Sequence, residues 1–304
     1  MIDDVVRMAL REDLGAGDVT SETSVPEAAI ARANLIAKAS GVMAGMQVFL
    51  RAFRQCDPDA ELHAYVQDGE AIEAGALLAS VHGNARALLL AERTALNLMQ
   101  RMCGIATRTR RLVDRVHATG SAMHVLDTRK TTPGLRALEK YAVLCGGGHN
   151  HRFGLNDQVL LKENHIDLAG RPIRDILRGQ REVLGDAMIL TAEARDAEEA
   201  REAVIGGADV VLLDNMTPEQ MSALAPELRA LAQDRARPVL LEASGGIDES
   251  TIEAVARTGL DRVSIGALTH SVEALDLSLS LEPSSSLGSS FGTPPDNASG
   301  GAAL

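Results

Sequence analysis

The sequence has no tryptophan, and its only aromatic residues are Phe49, Phe53, Phe153, Phe291, Tyr65 and Tyr141. Recognition of nucleic-acid bases by stacking is therefore disfavoured, and the core has to be assembled from Leu, Val, Ile, Ala and Met. Basic residues are in the minority. The chain carries 30 Lys and Arg against 42 Asp and Glu, a formal net charge of -12, so nucleic acid and anionic membrane are poor partners. No run approaches the roughly 18 uninterrupted apolar residues of a membrane span. The opening MIDDVVRMALREDLG begins with acids and lacks the continuous apolar stretch of a secretory signal. Cysteine is scarce as well. Cys56, Cys103 and Cys145 are far apart and odd in number. They read as neither a disulfide framework nor a zinc ribbon, and they fit a reducing cytosol.

What is present is enough for one large domain or two ordinary ones: 304 residues, 45% of them hydrophobic. From Val125 to Gly266 a short apolar run ending in a polar residue alternates with an amphipathic helical stretch. The runs are HVLD, QVLLKEN, MILTAEA, DVVLLDN, PVLLEASGG and RVSIGAL. Continuous apolar strands alternating with helices predict a parallel sheet covered on both faces. Six units without a G-x-G-x-x-G after the first strand fit an α/β barrel, open or closed, better than a doubly wound sheet. Asp248 or Ser250 is expected to cap a late helix, ESTIEAVARTG. The first ~105 residues differ. ARANLIAKASGVMAG and LHAYVQDGEAIEAGALLASVHG read as strands with turns at Asp68-Gly69 and near Gly75, and Asn84 opens a long helix expected to close at Gly104. This predicts a smaller α+β domain. After Pro283 the Ser/Gly/Pro/Ala-rich tail has little to bury and is expected to be disordered.

Barrel chemistry sits where strands end. The ends deliver Arg129 and Lys130, then Lys162, Glu193, Asp214, Ser244 with Gly245 and Gly246, and Gly266. Between Asp127 and His165 lie six Lys or Arg and four acids, whereas the remainder has 24 against 38. Positive charge is therefore local, which points to a small, highly charged anion as ligand. Arg supplies a planar fork for carboxylate or phosphate and Lys a point charge. Arg136 and Lys140 share a helix with Glu139 and read as solvated helix-face charges. Arg93 lies beside an apolar stripe. Its expected partner is either a local acid such as Glu92 or an anion from across an interface.

Glu193 and Asp214 end neighbouring strands, where two carboxylates suit Mg²⁺ or a developing cation, unless they pair with the rim lysines. Glycine turns at the last two strands suit a phosphate held by backbone N–H groups. In GGGHNHR, Gly146 to Arg152, the glycines are expected to bring the main chain close to the pocket. His149, His151 and His165 with Glu163 form a rival metal-hydrolase set, but no fourth ligand stands at a persuasive spacing and the nearby cations oppose it.

The stretches EDLGAGDVTS, ARALLLAERTALNLMQRMCGIAT, DTRKTTPGLRALEKYAVLCGGGHNHRFGLNDQVLLKENH, GADVVLLDN, EASGGI and SIGALTHS, in this order, resemble the quinolinate phosphoribosyltransferase family over about residues 11 to 279. The resemblance implies an N-terminal α/β sandwich domain (1–105), an open, TIM-like α/β barrel of phosphoribosyltransferase type II (106–268), a return to the first domain (269–282) and a tail (283–304). It implies a cytoplasmic homodimer with the active site at the subunit interface. The implied reaction converts quinolinate and phosphoribosyl pyrophosphate, with Mg²⁺, to nicotinate mononucleotide, pyrophosphate and CO2. By motif, Arg129, Lys130, His151, Arg152 and Lys162 line the cationic pocket, and Arg93 reaches the quinolinate carboxylates of the neighbouring subunit. Glu193 and Asp214 face the ribose and its metal, with Lys130 and Lys162 beside them as catalytic groups. Ser244, Gly245, Gly246 and Gly266 take the 5'-phosphate.

Three positions depart from the family pattern. Thr191 and Arg195 flank Glu193 where acids are usual, and Arg195 is a possible partner for Glu193. Cys103 replaces a common serine, which is expected to be neutral. The competing readings are a paralogue associated with molybdate transport, which HNHR and LLKENH disfavour, and a non-catalytic anion-binding protein on the same fold.

Overall fold

In the computed structural model, which describes residues 1–233, 235 and 237–284, the chain opens with α1 (Ile2–Leu14) and α2 (Val19–Ser24). The stretches read as strands follow. They form β1 (Ile30–Ala37) and β2 (Gly41–Val42), then, after α3 (Met46–Cys56), β3 (Glu61–Ala64), β4 (Ala71–Ile72) and β5 (Leu77–Asn84). β5 pairs antiparallel with both β1 and β3, and β2 pairs with β4. Along β1 every second residue is buried, so one face is wetter and the other packs inward. α3 contributes Phe49 and Phe53, fully buried with ring centroids 4.8 Å apart.

Helix α4 (Ala85–Ala118) leads from this first region to the six-stranded sheet that follows. Asn84 caps it, its side-chain oxygen accepting from the N–H groups of Arg86 at 3.0 Å and Ala87 at 3.2 Å. The expected stop at Gly104 is corrected, because the helix runs on to Ala118. A Cβ on Gly104 would lie 2.2 Å from the Glu273 carbonyl oxygen. The glycine admits a returning chain segment against the helix instead of ending it.

The repeating region supplies β6 (His124–Leu126), α5 (Arg136–Cys145), β7 (Val159–Leu161), α6 (Glu163–Ala169), α7 (Ile173–Leu184), β8 (Leu190–Ala194), α8 (Ala197–Ile205), β9 (Val210–Asp214), α9 (Pro218–Leu231), β10 (Leu240–Ser244), α10 (Ile252–Ala256), β11 (Arg262–Ser264) and α11 (Ala267–His270). Each apolar run contains one strand. All are parallel, in the order β6-β11-β10-β9-β8-β7. Among the described residues the edge strands β6 and β7 do not pair with each other, so the α/β barrel is open. β8 is buried along its whole length, as strands sandwiched between two layers must be. Asp196 caps α8, and Thr217 with Gln220 forms a capping box on α9. The late helix is shorter than its sequence pattern. Asp248 Oδ1 accepts from the Ser250 N–H at 2.8 Å and holds a turn, and α10 starts only at Ile252.

The last strand, β12 (Leu277–Pro283), runs antiparallel along the free edge of β1, from Ala37↔Leu277 to Ala31↔Pro283. The tail expected to be disordered lies, from residue 285 on, outside the described residues. No helix among the described residues is long and apolar enough to cross a membrane.

Candidate active site

Parallel strands place their C-terminal ends on one rim, and a cavity of about 840 Å³ opens there. Of the residues singled out from the sequence, Arg129, Lys130, His151, Arg152, Lys162, Glu193, Asp214, Ser244, Gly245, Gly246 and Gly266 all line it. Arg93 does not. It sits on α4, 60% exposed, with Nη2 3.9 Å from Glu92 Oε1. The local acid is thus its neighbour within this chain.

The cationic wall is held from beneath. Lys140 is corrected from a solvated charge to a buried one, 2% exposed, with Nζ 2.5 Å from Asp127 Oδ1 and 3.0 Å from the His151 carbonyl oxygen. Asp127 Oδ1 also accepts from the His151 N–H at 2.8 Å. With the Asn150 amide oriented to satisfy its neighbours, its nitrogen donates to Asp127 Oδ2 at 2.6 Å. The sequence missed this arrangement because Glu139, the expected partner of Lys140, faces the other way. There it takes the Arg101 guanidinium, with Nη2 at 2.7 Å, and the Thr132 N–H at 3.1 Å. Arg136 reaches Thr131 Oγ1 at 3.0 Å and the Phe153 carbonyl, which braces the loop that carries Arg129 and Lys130.

The glycines of GGGHNHR serve a different contact from the one expected. A Cβ on Gly146 would lie 2.5 Å from the Ala106 carbonyl, and one on Gly148 2.7 Å from Thr109 Cγ2. The segment is pressed onto α4, not toward the pocket. His149 then bridges in parallel to Leu126 of β6, so the next residues, His151 and Arg152, emerge at the rim like the continuation of a strand.

His151 Nδ1 accepts from the Arg152 N–H at 2.9 Å, and its Nε2 lies 3.4 Å from Glu242, a fully buried carboxylate on β10 that also pairs with Arg262 Nε at 2.7 Å. Burial opposes the charge on Glu242, but His151 and Arg262 outweigh it and hold the carboxyl below its ordinary range. The three histidines of the metal-hydrolase reading do not meet. His149 packs edge-on against His124, and His165 Nδ1 accepts from the Lys162 N–H at 3.0 Å. Among the described residues no group of three or more His, Cys, Asp or Glu is placed to share a metal ion.

Two guanidinium N–H groups in this pocket wall, Nε of Arg129 and Nε of Arg152, are buried without a hydrogen-bond partner among the described residues. Burial, and then the neighbouring Arg129, hold the Arg152 guanidinium below its usual value. Unpaired buried donors beside like charge are costly, and an anion between them relieves both penalties. Opposite, Lys162 Nζ pairs with Glu193 Oε2 at 3.0 Å. Burial and the nearby Glu193 raise the carboxyl of Asp214 above its ordinary value. Arg195 does not pair with Glu193. It turns outward to Glu199, with Nε 2.9 Å from Oε1, and to Asp167. Thr191 Oγ1 accepts from Gln158 Nε2 at 2.5 Å.

Sequence reasoning missed His270 and Asn215, both in the cavity wall. His270 follows Gly266 by one helical turn in α11, and a Cβ on Gly266 would lie 2.9 Å from Lys130 Cδ and 3.2 Å from the His270 ring. The absent side chain makes room for those two. The i, i+4 spacing of a glycine at a strand end and a histidine is the signal that was available.

Two family models match the chain. Quinolinate phosphoribosyl transferase, N-terminal domain, covers residues 18–103, and quinolinate phosphoribosyl transferase, C-terminal domain, covers residues 105–280. The chain is 41% identical over 285 residues to a nicotinate-nucleotide pyrophosphorylase (carboxylating) from Mycobacterium leprae, covering 91% of this chain and 96% of that protein. It is 37% identical over 297 residues to quinolinate phosphoribosyltransferase (decarboxylating) 2b, mitochondrial, from Nicotiana tabacum, covering 92% and 82%. Among solved structures, NadC from Streptococcus pyogenes superposes with a TM-score of 0.85 at 37% identity, covering 93% of this chain and 96% of that one.

Proposed function

Because the chain belongs to the quinolinate phosphoribosyltransferase family, we propose that its cavity transfers the phosphoribosyl group of phosphoribosyl pyrophosphate to quinolinate. The products are nicotinate mononucleotide, pyrophosphate and CO2. The observation that carries this is one shared cavity in an acidic protein where Arg129, Lys130, Arg152 and Lys162 converge together with Glu193 and Asp214. Quinolinate is a dianion and its co-substrate carries several phosphate charges, so both need cationic partners in a partly dehydrated site.

The roles follow from position. The guanidinium groups of Arg129 and Arg152, each with an Nε–H lacking a partner among the described residues, take the quinolinate carboxylates. Lys162, half-exposed on Glu193, exchanges that partner for substrate. The turn Ser244–Gly246, with Gly266, receives the 5'-phosphate on main-chain N–H groups. The ring nitrogen attacks the ribose anomeric carbon, and the bond to pyrophosphate breaks with its electrons. Glu193 and Asp214 stabilise the ribosyl cation that develops between these events. The ring nitrogen is then cationic. The adjacent carbon–carboxylate bond breaks, CO2 leaves, and the electron pair left beside the positive nitrogen takes up a proton.

The two carboxylates fit Mg²⁺ in a limited sense. They are too few for an all-protein cage, but this ion commonly takes one or two carboxylates together with substrate phosphates. Glu193 and Asp214 are the residues to hold it, and its contribution is to neutralise charge on the departing pyrophosphate. Arg93, exposed and poorly paired within its own chain, is assigned to the pocket of a second copy in a homodimer. The scattered cysteines support a cytoplasmic setting.

The test is release of labelled CO2 from carboxyl-labelled quinolinate by the purified protein with Mg²⁺ and phosphoribosyl pyrophosphate. Stoichiometric CO2 and nicotinate mononucleotide are expected. Tight binding of both substrates by folded protein without turnover would overturn the proposal in favour of an anion-binding role.

A further inference from the structure

We propose that Asn215 is a positioning residue for Asp214, fastening the carboxylate that ends β9 to the glycine turn that ends β10. The inference rests on the reading above, in which Asp214 faces the ribose and pyrophosphate of the co-substrate. Asn215 is the one non-glycine residue with positive φ, at 54°, among the described residues. Side chains avoid this region because Cβ crowds the backbone. Asn is among the residues that tolerate it best, but such a conformation persists only where the surroundings enforce it.

Three contacts enforce it. The Asn215 N–H donates to the Ser244 carbonyl at 2.9 Å, continuing the ladder between β9 and β10 past its last pair. The side-chain Nδ2 donates to Asp214 Oδ2 at 2.6 Å. The side-chain Oδ1 occupies the space a Cβ on Gly245 would fill, 2.1 Å from that position. Gly245, at φ 94°, is therefore a keyhole for the asparagine as well as a turn. The sequence suggested only that a glycine here lets phosphate approach.

The result is a rigid unit of Asp214, Asn215, Ser244 and Gly245. It joins the carboxylate side of the cavity to its phosphate side. One oxygen of Asp214 is pinned by the amide, and its other oxygen stays available to a ligand. Asp214 needs such a restraint. It is flanked by Glu193 on β8 and Glu163 on α6, which repel it, and by Lys162, which attracts it. Without the amide, the carboxylate is free to rotate toward the lysine and away from the position the co-substrate requires.

The test uses Asn215→Gly, which keeps the left-handed backbone free of strain and deletes the amide, with Asn215→Asp as a second variant that keeps the shape and exchanges the donor for a charge. The measurements are thermal unfolding, kcat and KM for each substrate, and calorimetric binding of quinolinate alone and of phosphoribosyl pyrophosphate with Mg²⁺. For Asn215→Gly the expected result is unfolding within a few degrees of wild type and a quinolinate Kd within about twofold. Its kcat/KM for phosphoribosyl pyrophosphate should be roughly ten- to a hundredfold lower. Asn215→Asp should lose at least as much. Unchanged kinetics in Asn215→Gly, or an equal loss toward both substrates, overturns the proposal. If the wild-type protein proves inactive, the proposed reaction is overturned separately. The calorimetry still decides the inference, since an unaltered Kd for phosphoribosyl pyrophosphate with Mg²⁺ in Asn215→Gly refutes it.

Discussion

Lys140 and Lys162 show how little residue type says about role. Both are lysines in the same basic segment, yet Lys140 is sealed against Asp127 under the pocket while Lys162 is half-exposed on Glu193. Lys162→Ala is expected to cut kcat/KM for quinolinate on the order of a hundredfold, with stability within about 1 kcal/mol of wild type because the pair is partly solvated. Steady-state kinetics beside urea unfolding checks this, and equal loss of both properties would make the lysine structural. Gly266→Ala is the complementary case. Its backbone, at φ -65°, accepts alanine, but the added Cβ meets Lys130 and His270. The expected outcome is a roughly ten- to hundredfold fall in activity with near-normal melting, the mark of a displaced functional side chain.

At the scale of elements, α4 is the member on which the first domain and the barrel both depend. Arg101 on one side of it grips Glu139, Thr132 Oγ1 and the Thr269 carbonyl. Arg110 on another donates to the Gly146 carbonyl at 3.0 Å. The helix thereby sets the start of the cationic wall, the GGGHNHR segment and the end of α11. Alanine is the better helix former, so propensity alone predicts that Gly104→Ala stabilises by about 1 kcal/mol. Close packing against Glu273 predicts the reverse, a loss of about 1–3 kcal/mol. Equilibrium denaturation distinguishes them by sign. The sequence signals at this scale were good where periodicity is strong. Each of the six apolar runs holds a strand, and the Asn84 cap is where its residue type placed it. They failed at Gly104, where a glycine serving a distant contact looks the same as a helix terminator.

For the whole molecule, the buried charges of the barrel interior couple stability to pH. Glu242 has its carboxyl held below the ordinary value of 4.5 by His151 and Arg262. A carboxyl lowered in the folded state contributes stability above its ordinary value and loses it as pH falls through the folded one. Glu242→Gln, which leaves Arg262 without its anion, is expected to cost about 3 kcal/mol at neutral pH. The gap to wild type should narrow as pH drops below 4.5; a gap independent of pH would show that the cost is one of packing. Shared sites between copies are tested by mixing. Arg93→Ala and Lys162→Ala proteins, each expected to be nearly inactive, should regain activity when unfolded and refolded together, because in the proposed homodimer a mixed pair would contain one intact pocket. No recovery would confine Arg93 to its own chain.

The sequence by itself determined the six strand units, the local gathering of positive charge, and the rim residues that line the cavity. These are local properties: an apolar run ends where its polar residue begins, and parallel strands put all such ends on one side. Only the tertiary structure decided which charges are buried, which carboxylate each cation meets, and what each glycine makes room for. Glu242 lies 91 residues after His151, and Glu273 lies 169 after Gly104, so no short window along the chain contains both members of either contact; Asp127 and Lys140 are 13 apart, yet nothing in that segment marks the pair as buried. Their energies depend on distances set by packing, and packing is a property of the closed fold.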